Sequence, residues 1–294
     1  METRYKNISA ILDPPPYHMV GDGFRVHNFF PSQPQIGLQG MSPFFLMDYG
    51  AKWMVPQSDR QKGVGVHPHR GIETVTVAYH GKVAHHDSAG NSGVIGEGDV
   101  QWMTAGGGVL HKEYHEKEFS RKGGLFQMVQ LWVNLPAKYK MTPARYQAVE
   151  SQMMGKFNSE DLKYSVDVIA GDYKGITGPA MTFSPMNLFN ARLTSGAKAD
   201  FFFPESFNSG ILIIEGEVIV NQSEKVAENQ FIYFGHNGKT IIAEATKESI
   251  LLVMSGEPLN EPIAPYGPFV MNTQDEIKKA YEDYYNGEFG YLED

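Results

Sequence analysis

Read for the alternation of apolar and polar positions, the chain breaks into short runs rich in Val, Ile, Thr, Phe and Tyr, punctuated by Gly and Pro. Period-two runs of this length predict half-buried strands, because alternate side chains on an extended backbone face opposite ways. In IETVTVAYHGKVAHHD the runs 72–79 and 82–86 flank a His80-Gly81 turn, and LFQMVQLWVNL (125–135) supplies another strand. After the midpoint come NLFNARLTSG, then GILIIEGEVIV (210–220) with a Glu215-Gly216 turn, then QFIYFG and SILLVMSGEP. This loosely repeats the order of the first half, so a duplicated barrel is expected. Residues 136–155, with Pro136 and Pro143 and little alternation, read as a linker or short helix, which puts the boundary near residue 146. One helix is predicted at the C-terminal end: Thr273 caps it, Glu276 completes a capping box, and Ile277, Ala280, Tyr281 and Tyr284 share a face before Asn286-Gly287 stops it.

Composition agrees with an all-β globular chain. The 294 residues include 31 Gly and 17 Pro, and 41% hydrophobic with 20% charged residues is enough apolar matter for two ordinary cores. A formal charge of −9 disfavours nucleic acid, whose affinity comes from Lys and Arg neutralising phosphates. There is no cysteine, so any metal must be held by nitrogen and oxygen. The N-terminal stretch lacks the apolar core of a secretory signal and no apolar run reaches membrane length, so a soluble, cytoplasmic protein is expected.

Nine of the ten histidines fall in the first half, leaving only His236 in the second. VHPHRGIE sets His67 and His69 two residues apart, on one face of an extended segment. Pro68 between them cannot donate a ladder hydrogen bond, so the segment belongs at a strand end or sheet edge, as at a barrel mouth. GGGVLHKEYHEKE repeats the spacing with His111 and Glu113. Three imidazoles and a carboxylate suit iron, manganese, nickel, copper or zinc better than calcium or magnesium. A zinc-protease reading of HKEYH fails because Lys112 stands where that motif has its Glu, and the triple glycine 106–108 lacks the Lys of a phosphate loop. His115 ranks below the four as a ligand. His18, His27, His80, His85 and His86 read as solvated or hydrogen-bonded side chains. Glu73 is open between ligand, orienting partner of an imidazole and general base.

The strings HPHRGIETVT, GDVQWMTAGGGVLHKE, VQLWVNLP and GEPLNEPIAPYGPFVMNT resemble the pirin family, in the same order, most closely from Phe44 to Gln147 and from Gly256 to Thr273. The resemblance implies a bicupin: two cupin-type β-barrels with a short C-terminal helix. Residues 1–145 would form the metal-binding barrel and 146–294 a metal-free one. One divalent transition metal is implied, Fe(II) first, with Zn, Mn, Ni, Cu or Co as alternatives, on His67, His69, His111 and Glu113. The general cupin pattern would instead take its Glu at Glu73. TAGGGVLH departs from that pattern, with Thr104 in place of a Pro and two extra residues before His111, and Lys112 replaces a family serine. The implied activity is opening of a quercetin-type flavonol with O2. Glu113 would accept the hydroxyl proton, Glu73 is the runner-up base, and Trp102, Met103 and Phe44-Phe45 wall the pocket. The alternative is an iron-dependent regulator that binds a protein partner without turnover.

Overall fold

A computed structural model describes residues 4–293 of the chain. The polypeptide divides into two compact units, neither of them contiguous. One comprises Pro16–Phe30, Phe44–Glu150 and Leu259–Asp294; the other Met1–Pro15, Pro31–Pro43 and Ser151–Pro258. The main change of unit, at Glu150–Ser151, lies close to the boundary expected near residue 146. The two ends of the chain are exchanged relative to a single cut, however, so the C-terminal helix belongs with the histidine-bearing unit.

That unit is built from two antiparallel sheets. The smaller runs in the order Gly63–His69, Val109–His115, Val83–Asp87, Ser92–Ile95. The larger runs Arg145–Val149, Val100–Thr104, Ile72–His80, Gly124–Asn134, Phe44–Val55, Phe24–Phe30, His18–Val20. Side chains of the two sheets meet between them, since Glu113 of the smaller accepts hydrogen bonds from Thr76, Gln101 and Gln130 of the larger. Ile72–His80 is central and buried along all but its last residue, which is why it reads as a nearly continuous apolar and threonine run. The other unit has the same plan, a seven-stranded and a four-stranded sheet, but apolar side chains such as Phe189, Phe201, Ile211, Val218, Ile241 and Val253 form its core.

The two turns read from the sequence as strand reversals do something else. Ile72–His80 and Val83–Asp87 lie in different sheets, as do Asn208–Glu215 and Glu217–Val220. Gly81 and Gly216, at φ +84° and +86°, are therefore corners that carry the chain from one sheet to the other, in both units alike. Periodicity locates such a corner without revealing which strand the next one pairs with. The expected linker contains the strand Arg145–Val149, which pairs with Val100–Thr104, flanked by two short 3-10 turns. RYQAV carries too little alternation to be read. A six-residue helix, Lys117–Lys122, was also not expected; Glu116 caps it by accepting from the amides of Glu118 and Phe119. The C-terminal helix spans Gln274–Tyr285 with Thr273 as cap and the Glu276 capping box formed, burying Ile277, Ala280 and Asp283.

Gly71, the corner after His69, has φ +80°, and a Cβ there would lie 2.1 Å from the carbonyl oxygen of Val270. Gly90 has φ +88° with open space around it. Gly71→Ala is expected to cost more than about 2 kcal/mol, and Gly90→Ala about 1 kcal/mol, the left-handed backbone penalty alone. Urea unfolding of the two variants checks the ordering; equal costs would contradict it.

Candidate metal centre

Antiparallel pairing of Gly63–His69 with Val109–His115 sets His111 opposite His67 and Val109 opposite His69. Gly63–His69 is the edge strand of its sheet, as Pro68 requires. A register shift after His111 places Glu113 opposite Val64. Ring centroids of His67, His69 and His111 are 4.3 to 5.0 Å apart, and one donor atom from each lies within 4.8 Å of the others.

Each ring has its Nδ1 engaged. Nδ1 of His67 donates to the carbonyl of Gly65 at 2.8 Å, and that of His69 to the carbonyl of Pro268 at 3.1 Å. Since a neutral imidazole carries one proton, Nε2 of both rings is left as a lone pair. Nδ1 of His111 faces Nδ1 of His85 at 3.4 Å, and its Nε2 is buried without a hydrogen-bond partner. An orphaned nitrogen beside two free lone pairs fits a metal and is costly otherwise. Burial, then the neighbouring His67, lowers the pKa of His69 to about 3; burial and the charges of His67, His69 and His85 hold His111 well below the usual range. Both are therefore neutral and able to ligate at ordinary pH.

Glu113 is not in that trio. Its carboxylate forms an overlapping group with His85 and His111, again within 4.8 Å. Oε1 accepts from Thr76 at 3.3 Å and Gln101 at 2.9 Å, and Oε2 from Gln130 at 3.3 Å. His111 is thus shared between two groups, with the imidazoles of His67 and His69 in one and the Glu113 carboxylate with the His85 imidazole in the other. His85, expected to be an ordinary histidine, is fully buried, stacks on Tyr146 at 5.1 Å, and reaches Asp87 through Nε2 at 3.3 Å. The spacing His85-x-Asp87 repeats that of the other two pairs and was the available signal. His86 points the other way, exposed and stacked on half-buried Tyr114. His115 is buried among Phe24, Phe119 and Phe126.

Glu73 departs from its expected role. It pairs with Thr104 and alternates with Thr76 along Ile72–His80, so it leaves the strand on the face opposite the one that meets Glu113. There Oε1 accepts from Thr104 at 2.7 Å, and Oε2 is buried without a partner. Trp102, the next but one residue before Thr104, shares the Glu73 face, whereas Met103 faces inward with Thr74. Phe45 stacks on Trp132, and Trp132 stands edge-on to His69 at 4.9 Å, a neighbour of the imidazoles that the sequence did not single out.

The segment after His69 is clamped. Arg70, almost fully buried, donates through Nε to the carbonyl of Gly107 at 2.7 Å, pairs with Asp283 at 2.8 Å and lies over the ring of Phe289. Asp283 comes from the buried face of the C-terminal helix and also pairs with Lys279.

This arrangement defines a class: a bicupin, with two β-barrels and imidazoles gathered in one of them. The chain belongs to the pirin family, whose Pirin model matches residues 23–133 and whose Pirin C-terminal cupin domain model matches residues 188–290. It is similar to a crystal structure of quercetin 2,3-dioxygenase from Acinetobacter baumannii, with 44% identity, TM-score 0.92, and coverage of 99% of this chain and 100% of that one. A Pseudomonas aeruginosa protein that carries a provisional quercetin 2,3-dioxygenase name is 44% identical over 272 residues, covering 92% of this chain and 94% of its own. Human pirin is 34% identical over 259 residues, covering 86% and 85%.

Burial, against the hydrogen bond from Thr104, raises the pKa of Glu73 to about 7 from 4.5. A raised carboxyl binds its proton more tightly folded than unfolded, so stability falls as pH rises from about 4.5 to about 7. Glu73→Gln keeps an acceptor for Thr104 and is expected to gain on the order of 2–3 kcal/mol relative to wild type at pH 8, and little at pH 4. Denaturant titrations at both pH values test this; a pH-independent difference would contradict it.

Proposed function

We propose that the chain is a metal-dependent dioxygenase that opens quercetin-type flavonols with O2, with iron the first candidate metal. The observation that carries the reading is the convergence of His67, His69 and His111, each with Nδ1 engaged and one ring nitrogen of each within 4.8 Å of the others. Glu113 is the oxygen ligand in this reading, its carboxylate lying within 4.8 Å of a ring nitrogen of His111. The names of the Acinetobacter and Pseudomonas relatives supply the substrate class.

When bound, the metal acts as a Lewis acid on the substrate oxygens and as an electron conduit to O2. The remaining tasks fall to the protein. Glu113, if its carboxylate loosens from the metal, is the acceptor for the flavonol hydroxyl proton, and Thr76, Gln101 and Gln130 hold it in position. Trp132, edge-on to His69, offers an aromatic surface for a flat substrate. Glu73 has no part in proton transfer, because a sheet separates it from the imidazoles.

Iron-loaded protein mixed aerobically with quercetin is expected to bleach the flavonol and release carbon monoxide. A His67→Ala, His69→Ala double variant, or dialysis against a chelator, should return consumption to background, whereas Glu73→Gln should retain it. A fully metallated protein that leaves quercetin untouched would refute the enzyme reading and favour an iron-dependent regulator that binds a protein partner.

A further inference from the structure

We infer that Asp87 and His85 form a proton-ordering relay that fixes the tautomer of His111 and so aims its Nε2 as a ligand. The inference rests on the metal reading of His111 above. Its argument runs from the carboxylate inward. Oδ1 of Asp87 accepts from the amides of Ala89 and Asn91 at 3.0 and 2.9 Å, and the Asn91 side chain reaches both oxygens. A carboxylate so held only accepts, so the facing Nε2 of His85, 3.3 Å from Oδ2, carries the proton.

Nδ1 of His85 is then a lone pair, and an independent group demands the same. Nε2 of Gln101 stands 2.9 Å from Glu113 and 3.3 Å from Nδ1 of His85, and the Gln101 oxygen accepts from Tyr146 at 3.4 Å. Glu113 can only accept, which fixes the amide nitrogen on this side, and its second hydrogen points at His85. Nδ1 of His111 faces the same lone pair at 3.4 Å and shares it with Gln101 as a second donor, since a bare Nδ1 there would set two lone pairs against each other. Its other nitrogen, buried and unpartnered, is left bare. Hydrogen bonds to the far nitrogen of a ligating histidine fix ring and tautomer in this manner, and their loss typically lowers metal affinity 10- to 100-fold. Here the carboxylate acts through an intervening imidazole, so Asp87 and His85 are positioning residues.

Asp87→Asn is the discriminating variant. It keeps Oδ1 for Ala89 and Asn91 but presents an N–H to Nε2 of His85, which sets it against the Gln101 hydrogen at Nδ1, so His85 no longer holds one tautomer and part of the His111 population carries its proton on Nε2. Long-range 1H–15N NMR of metal-free wild type is expected to show His111 protonated at Nδ1, and of Asp87→Asn a population protonated at Nε2. Cobalt(II) titration should give a roughly 10- to 100-fold weaker site in the variant, with an altered visible spectrum. Should that variant not fold, His85→Leu removes the acceptor and should weaken cobalt by a similar factor. Wild type protonated at Nε2 of His111, a folded Asp87→Asn protein with unchanged tautomer and affinity, or cobalt bound through Nδ1 of His85 and His111 would each overturn the relay. Wild type with the expected tautomer but no cobalt site would refute the metal reading while supporting the proton order.

Discussion

Antiparallel registry between Gly63–His69 and Val109–His115 is the constraint on which the site depends, because it alone puts His111 across from His67. Shifting that pairing by one residue would turn every side chain of one strand to the opposite face. Two features resist such a shift. Gly63 lies so close to the neighbouring strand that a Cβ would fall 2.1 Å from the carbonyl oxygen of Glu113, and the irregularity between His111 and Glu113 breaks the regular repeat along which a strand could slide. Register therefore does for the ligands what a covalent linker would do in a chelator: it sets the spacing before any ion arrives.

The barrel interior behind the imidazoles gathers a cluster of polar groups, Thr76, His85, Gln101, Glu113 and Gln130. Burying such groups is unfavourable unless each finds a partner, and here they satisfy one another. In the other unit the core between comparable sheets consists of Val, Ile, Phe, Ala and Leu. The same architecture thus carries two opposite interiors. A packed apolar core is the cheaper solution, so a polar interior that survives in only one unit points to chemistry there rather than to folding.

Much of this was legible in the chain, and the failures have common physical causes. The His-x-His and His-x-Glu spacings, Pro68 at an edge, and the Thr273 capping box are local signals, and local geometry decided them. His85 was misread because its burial depends on pairing with Val109–His115, a contact distant in sequence. Glu73 was overrated for the converse reason: its proximity in sequence to His69 says nothing of which sheet face it takes, and a corner at Gly71 separates the two strands. The exchange of chain ends between units leaves no periodic trace, since it concerns where a segment docks and not what it forms.

That exchange bears directly on the site. The stretch His69–Gly71 is gripped by residues from beyond Leu259: Pro268 accepts from His69, the amide of Val270 donates to the carbonyl of Arg70 at 3.1 Å, and Asp283 pairs with the Arg70 guanidinium. Lys140 joins the same knot, its ammonium donating to the carbonyls of Gly71 and Val270 and to Asn134. Buried ion pairs of this kind contribute little net stability, because desolvation offsets their attraction. What they do impose is geometry, since Arg70 has a fixed fork of donors and every partner must be in place to satisfy it. The C-terminal segment is then best understood as part of the candidate metal centre: it fixes the His69 ring from one side as the proposed Asp87–His85 relay fixes His111 from the other, and His67, whose ring hydrogen bond among the described residues goes to the carbonyl of Gly65 two residues away, is the ring with the most freedom to adjust.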